Sequence, residues 1–200
     1  MASSVPRFDE AARLRTLDKY AILDSEPERG FDDLVLLASH VCGTPIALMS
    51  LIDEDRQWFK SKIGIPVSET PRNVAFCAKA IEQSGVFVVP DATQDARFRN
   101  NPLVTGEPHI RFYAGAPLIT EDGYALGTLC VIDQKPRDVT SEQKEALQAL
   151  SRLAMAQLEF RRNLGLLKEA LNDRTRHEHE RETELQILQA QLVRIMGLRV

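Results

Sequence analysis

No apolar run in these 200 residues approaches the roughly 20 needed to cross a bilayer. The opening stretch MASSVPRFDEAARL also lacks the apolar core of a secretion signal. The expected location is therefore cytoplasmic, with no membrane partner. Cysteine is scarce and odd in number, and Cys42, Cys77 and Cys130 each lie in or beside an apolar run, which favours reduced thiols over a disulfide framework. Blocks of one charge sign are missing. The 25 basic and 29 acidic residues are interspersed, giving a formal charge of -4, so no patch suited to a phosphate backbone emerges and no nucleic-acid partner is expected. His40, His109, His177 and His179 are too dispersed for a metal site, only the last two being neighbours. No internal repeat or low-complexity segment is present.

What is present reads as one packed domain with an appendage. Ala11, Leu14, Leu17 and Ala21 recur at helical spacing, predicting a first helix over residues 8–23 that is broken near Pro27. A second helix is expected over residues 30–41, with Phe31, Leu34, Leu37, Ala38 and Val41 on one stripe and Gly43 as its stop. The runs PIALMSLID and QWFKSKIG read as a hairpin with an acidic turn, Ile46, Leu48, Ser50 and Ile52 sharing a face. A short helix over residues 74–83 and a strand over 86–89 follow. Residues 91–108 are too polar and broken for regular structure throughout, and a loop that long inside a compact domain is usually functional or partly helical.

The next two strands give the clearest sign of a pocket. In the first, Ile110, Phe112, Ala114, Ala116 and Leu118 oppose Arg111, Tyr113, Gly115 and Pro117, so each face carries a different chemistry. In the second, Leu126, Thr128, Cys130 and Ile132 oppose Ala125, Gly127, Leu129 and Val131; both faces are apolar and both need cover. Thr140 and Gln143 fit a capping box for a last helix that no proline interrupts. Leu150, Gln157, Leu164, Leu171, Glu178, Leu185 and Leu192 form one heptad position of it. Leu153, Phe160, Leu167, Arg174, Arg181, Leu188 and Ile195 form the other. This is the pattern of a coiled coil with a polar middle, and it predicts a homodimer through the terminal helices.

The run NPLVTGEPHIRFYAGAPL followed by GTLCVID resembles the closing half of a bacterial GAF domain. RLRTLDKYAILDSEPERGFDDL, CGTPIALMSLIDEDRQWFKSKIG, ETPRNVAFCAKAI and VVPDATQDARF stand upstream in the order seen in GAF domains of two-component and cyclic-di-nucleotide signalling proteins. The resemblance covers roughly residues 13–155. It implies an α+β fold of the GAF/PAS kind, with a twisted antiparallel sheet of five or six strands. Helices would cover one face and the long loop and short helix the other. The implied organisation is a tail and helix start over residues 1–12, a GAF domain over 13–155 and a coiled-coil helix over 156–200.

The resemblance also implies a sensory and regulatory module in signal transduction, binding a small molecule or relaying a signal as a dimer to a downstream output domain. Pocket candidates are Trp58 and Phe76 as aromatic walls, Arg111, Tyr113, Thr128, Cys77 and Cys130 as polar or soft groups, and Arg72 and Arg97 to steer an anion. The ligand is unknown. Members that attach a tetrapyrrole do so through Cys followed by His. Here Cys77 precedes Ala78 and Cys130 precedes Val131, so no covalent tetrapyrrole is expected. The Asn-Lys-Phe-Asp-Glu pattern of cyclic-nucleotide-binding members is not found, and the cysteine arrangement of the methionine sulfoxide reductases is not reproduced. The chain is expected not to be an enzyme, with no catalytic residue assigned and Cys77 and Cys130 read as packing thiols. The alternatives are an input fragment of a histidine kinase or cyclic-di-nucleotide enzyme, and a Cys-dependent redox enzyme. RHEHERET is faintly similar to a phosphoacceptor box, although a solvated charged face explains His177 and His179 better.

Overall fold

A computed structural model of the chain describes residues 9–195. The chain divides into two units, Met1–Glu159 and Phe160–Val200. In the first, α1 (Glu10–Asp18) starts at Asp9, whose side chain accepts from the Ala12 N–H at 3.1 Å. It stops before residue 23 because Ala21 and Asp24 take left-handed backbone conformations; the expected start at Phe8 lies outside the described residues. In α2 (Arg29–Cys42), Phe31, Leu34, Val35, Ala38 and Cys42 are buried. Leu37 and Val41, expected on that stripe, are exposed, since the buried face is rotated towards Val35. Gly43 ends the helix at φ 60°, a left-handed conformation that costs glycine little.

Strands β1 (Ile46–Ile52), β2 (Arg56–Ile63), β3 (Glu69–Pro71), β4 (Phe87–Val89), β5 (Phe112–Ile119) and β6 (Ala125–Asp133) form one antiparallel sheet in the order β3-β2-β1-β6-β5-β4. Every residue of the central strands β1 and β6 is buried. Two irregularities break the strict alternation. In β2 the register slips between the Met49–Ser61 and Ser50–Phe59 pairs, leaving Lys60 as an extra residue. Lys60 Nζ then reaches Glu28 Oε1 at 2.8 Å, and Ser61 Oγ donates to Asp32 Oδ1 at 2.6 Å, both tying β2 to the start of α2. In β6 the slip opposite Leu118 and Ile119 turns Leu126 to the side of Leu129 and Val131, away from the Thr128, Cys130 and Ile132 face expected for it.

Two apolar layers result. One joins Ala47, Met49, Leu51, Trp58, Phe112, Ala114, Leu118, Leu129 and Val131 of the sheet to α1, α2 and the first turns of α5 (Ser141–Ile195), through Leu147, Leu150, Ala154 and Leu158. The other faces α3 (Phe76–Ala80), α4 (Pro102–Thr105) and the long loop. The single short helix expected over residues 74–83 is split, with a 3-10 turn at Arg72–Val74, extended Ala75 and then α3. Within residues 91–108, Asp91, Asp95 and Asn101 each accept from a backbone N–H two residues on, at 2.9 Å, and α4 is the only helix there. Thr140 and Gln143 exchange the paired bonds of a capping box at 3.1 and 3.2 Å.

Helix α1 is tied to the sheet by charge. Glu10 accepts from Arg13 at 2.7 Å and Arg72 at 2.6 Å, while Arg13 Nη1 donates to the Ile52 carbonyl at 2.7 Å. The hydrogen bond from Arg13 and that from Arg72, opposed by burial, bring the Glu10 carboxyl from its ordinary 4.5 down to about 2. The folded state holds this carboxylate more strongly than the unfolded chain. Its contribution is thus present above pH 4.5 and is lost as pH falls from there towards 2. Glu10→Gln is expected to flatten that acid limb in a chemical-denaturation series, and an unchanged limb would place the acid sensitivity elsewhere.

From Phe160 the second unit is a single helix to Ile195. Phe160, Leu164, Leu167, Leu171, Leu185, Leu188 and Leu192 of the expected heptads are each at least 40% exposed within one chain. The Ile195 side chain and Gly197 lie outside the described residues.

Candidate functional site

On the face away from α1 and α2 the sheet floors a cavity of about 370 Å³, at the small end of ligand-sized pockets. Ile46, Leu48 and Ile132 of β1 and β6 form its base, and Phe59 and the segment Ile65, Pro66 and Val67 form one side. Phe76 and Cys77 of α3, Leu103 of α4, Glu107, Pro108, Ile110 and Tyr113 of β5 complete it. Phe76 stacks on Phe98 at 4.0 Å and on Tyr113 at 5.4 Å, which braces α3 over the sheet.

Two polar atoms stand out in this apolar lining. Gln57 of β2 pairs across the ladder with Thr70 of β3, and both line the cavity. Gln57 Oε1 and Thr70 Oγ1 are buried and make no hydrogen bond within the protein. A buried acceptor left unmatched costs about 1–3 kcal/mol, so this pair is a place for a donor to come in.

Behind the cavity wall lies a fully buried polar cluster. Cys77 Sγ is 3.7 Å from Cys130 Sγ and accepts from Tyr113 Oη at 3.3 Å. Tyr113 Oη is 3.4 Å from Thr128 Oγ1, which is 3.2 Å from Ser50 Oγ across the β1–β6 ladder. Burial pushes the Tyr113 phenol well above its ordinary range, keeping it protonated and a donor. At Cys77 burial works against the thiolate, but hydrogen bonds from Cys130, Ser50, Thr128 and Tyr113 outweigh it and bring the thiol below its ordinary range. Burial, with Cys77 beside it, holds the Cys130 thiol well above the usual range.

Of the nine residues singled out in the sequence, Phe76, Cys77 and Tyr113 line the cavity, with Thr128 and Cys130 directly behind. The other four lie elsewhere. Trp58 is next to Gln57 in β2 and therefore faces the helix layer, not the pocket. Arg72 is occupied by Glu10 and by the Asp53 and Glu54 carbonyls, at 2.6, 3.0 and 3.2 Å. Arg97 binds Asp95 at 2.5 Å and lies 4.7 Å from the centre of the Phe87 ring. Arg111 donates to the Val104 and Ile110 carbonyls. Neither Arg72 nor Arg97 is placed to steer an anion into this cavity. Gln57, Phe59 and Thr70 escaped the sequence reading, although strand parity set against Trp58 would have pointed to the first two. Among the described residues no cluster of His, Cys, Asp or Glu could hold a metal, and no helix is long and apolar enough to cross a membrane.

An antiparallel sheet with helices on one face and a ligand-sized cavity under a loop and short helix on the other defines an α+β module with a covered cavity. The chain belongs to the GAF domain family, whose profile matches residues 26–158. It is 44% identical over 181 residues to a cyclic di-GMP phosphodiesterase of Pseudomonas aeruginosa, covering 89% of this chain and 31% of that protein. The chain thus spans about a third of that relative's length. Its fold is similar to a GAF domain of a phosphoenolpyruvate-protein phosphotransferase from Coxiella burnetii (TM-score 0.59, 14% identity, 78% and 96% of the two chains). It is also similar to a free methionine-R-sulfoxide reductase from Neisseria meningitidis (TM-score 0.56, 17% identity, 82% and 98%). The role is sensory, in signal transduction. The expectation of a non-enzyme is overturned by the phosphodiesterase relative, and the reductase establishes that catalysis occurs on this scaffold.

Proposed function

We propose that this chain is a cytoplasmic ligand-sensing module. In this reading the cavity takes a small, largely apolar molecule carrying N–H or O–H donors, and its occupancy is relayed through α5 into a homodimeric coiled coil. The observation that carries the reading is the unmatched pair Gln57 Oε1 and Thr70 Oγ1 in a wall that is otherwise apolar apart from Glu107, Cys77 and Tyr113. A donor at that point recovers the desolvation cost the empty-handed acceptors incur, while the apolar wall supplies contact area. The odd number of cysteines, Cys42, Cys77 and Cys130, each in an apolar setting, supports the cytoplasmic placement. The exposed leucine seam of residues 160–192 supports a second copy of this chain as partner. The phosphodiesterase relative supports an enzyme acting on a cyclic dinucleotide as the output that the coiled coil regulates.

Native mass spectrometry of gently purified protein tests the sensing role. A dimer with excess mass of a small molecule is expected, and Gln57→Leu is expected to lose that mass while keeping the dimer. Bare chain mass in the wild type, with no change in Gln57→Leu, would sink the ligand reading.

A further inference from the structure

The two thiols behind the cavity are more than packing groups. Cys77 and Cys130 stand 53 residues apart in sequence, one on α3 and one in the centre of β6, yet their sulfurs are 3.7 Å apart with nothing between them. Packing alone would be met by an alanine or valine at either position. Here both sulfurs are instead embedded in hydroxyls, with Tyr113 donating to Cys77. Cys77 also forms part of the cavity wall, whereas Cys130 lies behind it. Cys77 is therefore the cavity-side residue of the pair, and Cys130 waits in contact behind it.

We propose that Cys77 and Cys130 form an oxidation site, at which a small hydroperoxide entering the cavity converts the two thiols to an intramolecular disulfide. The Cys77 thiolate attacks one peroxide oxygen, forming an S–O bond as the O–O bond breaks. The departing hydroxide or alkoxide takes the proton released from Cys77 and leaves as water or alcohol. The product is a Cys77 sulfenic acid. The Cys130 sulfur then attacks the Cys77 sulfur, the S–O bond breaks, and the leaving hydroxide takes the Cys130 proton as water. Two electrons pass from the thiols to the peroxide, which is the only oxidant required. Closing the bond brings the sulfurs from 3.7 Å to about 2.0 Å, within reach of side-chain rotation and a small shift of the five-residue α3.

The groups around the pair suit this order of events. Tyr113 stays protonated and donates to Cys77, which stabilises a thiolate there. Cys130 stays a neutral thiol while Cys77 carries the charge, and the part of its upward push that Cys77 supplies is lifted once Cys77 becomes a neutral sulfenic acid. Cys42 provides a control in the same chain, since it lies in the helix layer and burial pushes its thiol up to about 11. The site needs no ligand bound in the cavity, so it stands apart from the sensing role proposed above.

The test is peroxide treatment of the full reduced chain, followed by alkylation and peptide mass mapping. The expected product is a Cys77–Cys130 disulfide peptide lighter by two hydrogens, reversed by dithiothreitol, with Cys42 still open to alkylation after unfolding. Cys77 is expected to react at least about tenfold faster than Cys42. In Cys130→Ser the reaction is expected to stop at a Cys77 sulfenic acid trapped by dimedone, with near-ultraviolet dichroism confirming the fold. The wild-type map decides the matter even if that variant misfolds. Recovery of Cys77 and Cys130 as unmodified thiols, or oxidation at the same rate as Cys42, would overturn the proposal.

Discussion

Gly127→Ala is expected to destabilise the chain by about 4 kcal/mol or more, a loss that few single substitutions reach. A Cβ at this position would lie 1.9 Å from the Ser50 carbonyl oxygen and 2.8 Å from Leu51 Cα. Both atoms are backbone of β1, so no side-chain rotation relieves the clash. Nor can β1 retreat, because it is paired to β2 on its other edge and buried along its whole length. The variant must therefore break the central β1–β6 ladder, which both apolar layers share. Urea unfolding measures the effect, and Gly165→Ala supplies the contrast. That helical glycine has nothing within 4 Å of an added Cβ, and its replacement is expected to stabilise by about 0.5–1 kcal/mol. A loss below about 1 kcal/mol for Gly127→Ala would mean that the two central strands separate easily at the β6 irregularity.

Leu185→Glu combined with Leu192→Glu is expected to convert the proposed dimer to monomer. Each leucine is 54–57% exposed in the single chain, and burying such a side chain against a partner is worth about 1.5–3 kcal/mol. Four leucines are lost per dimer, two from each protomer. The loss is then about 6 kcal/mol or more, or roughly four orders of magnitude in Kd. The opposite change sits in the polar middle, where Arg174 Nε pairs with Glu178 Oε1 of its own helix at 2.9 Å. Replacing Arg174, Glu178 and Arg181 by Leu continues the apolar stripe and is expected to raise the Tm of the helix pair. Sedimentation of the wild type and the double variant reads the first outcome, and a thermal melt of the triple variant beside the wild type reads the second. A monomeric wild type, or a Tm that falls in the triple variant, would remove the coiled-coil reading.

The sheet and its covering were legible in the sequence wherever local chemistry acted alone. Strand parity marked β5, the Thr140–Gln143 box marked the start of α5, and Gly43 marked the end of α2. Legibility failed where one residue was inserted into the alternation, as at Lys60 and at Leu126, because a slip of one position exchanges faces downstream. The candidate site suffered more. Arg72 finds Glu10 62 residues away, and that partnership, decided by tertiary packing, takes it out of the pocket. Thr70 sits in β3, a strand of three residues whose sequence Glu-Thr-Pro carries no strand pattern, so its pairing with Gln57 could not be read in advance. The contact of Cys77 with Cys130 is equally non-local, arising only when α3 lies across β6.

The nine buried residues of β6 have two neighbours to satisfy at once. Thr128, Cys130 and Ile132 stand on the cavity side, while Leu129 and Val131 press on the layer that holds Leu147, Leu150 and Ala154 of α5. The strand is a party wall one backbone thick, without slack on either side. A guest that slips into the cavity and leaves the wall where it stands passes unheard next door, however tightly it binds, because equal affinity for both positions of the wall shifts neither. Only a guest that makes β6 move is heard, and the wall thus sorts tenants by the push they exert rather than by how long they stay.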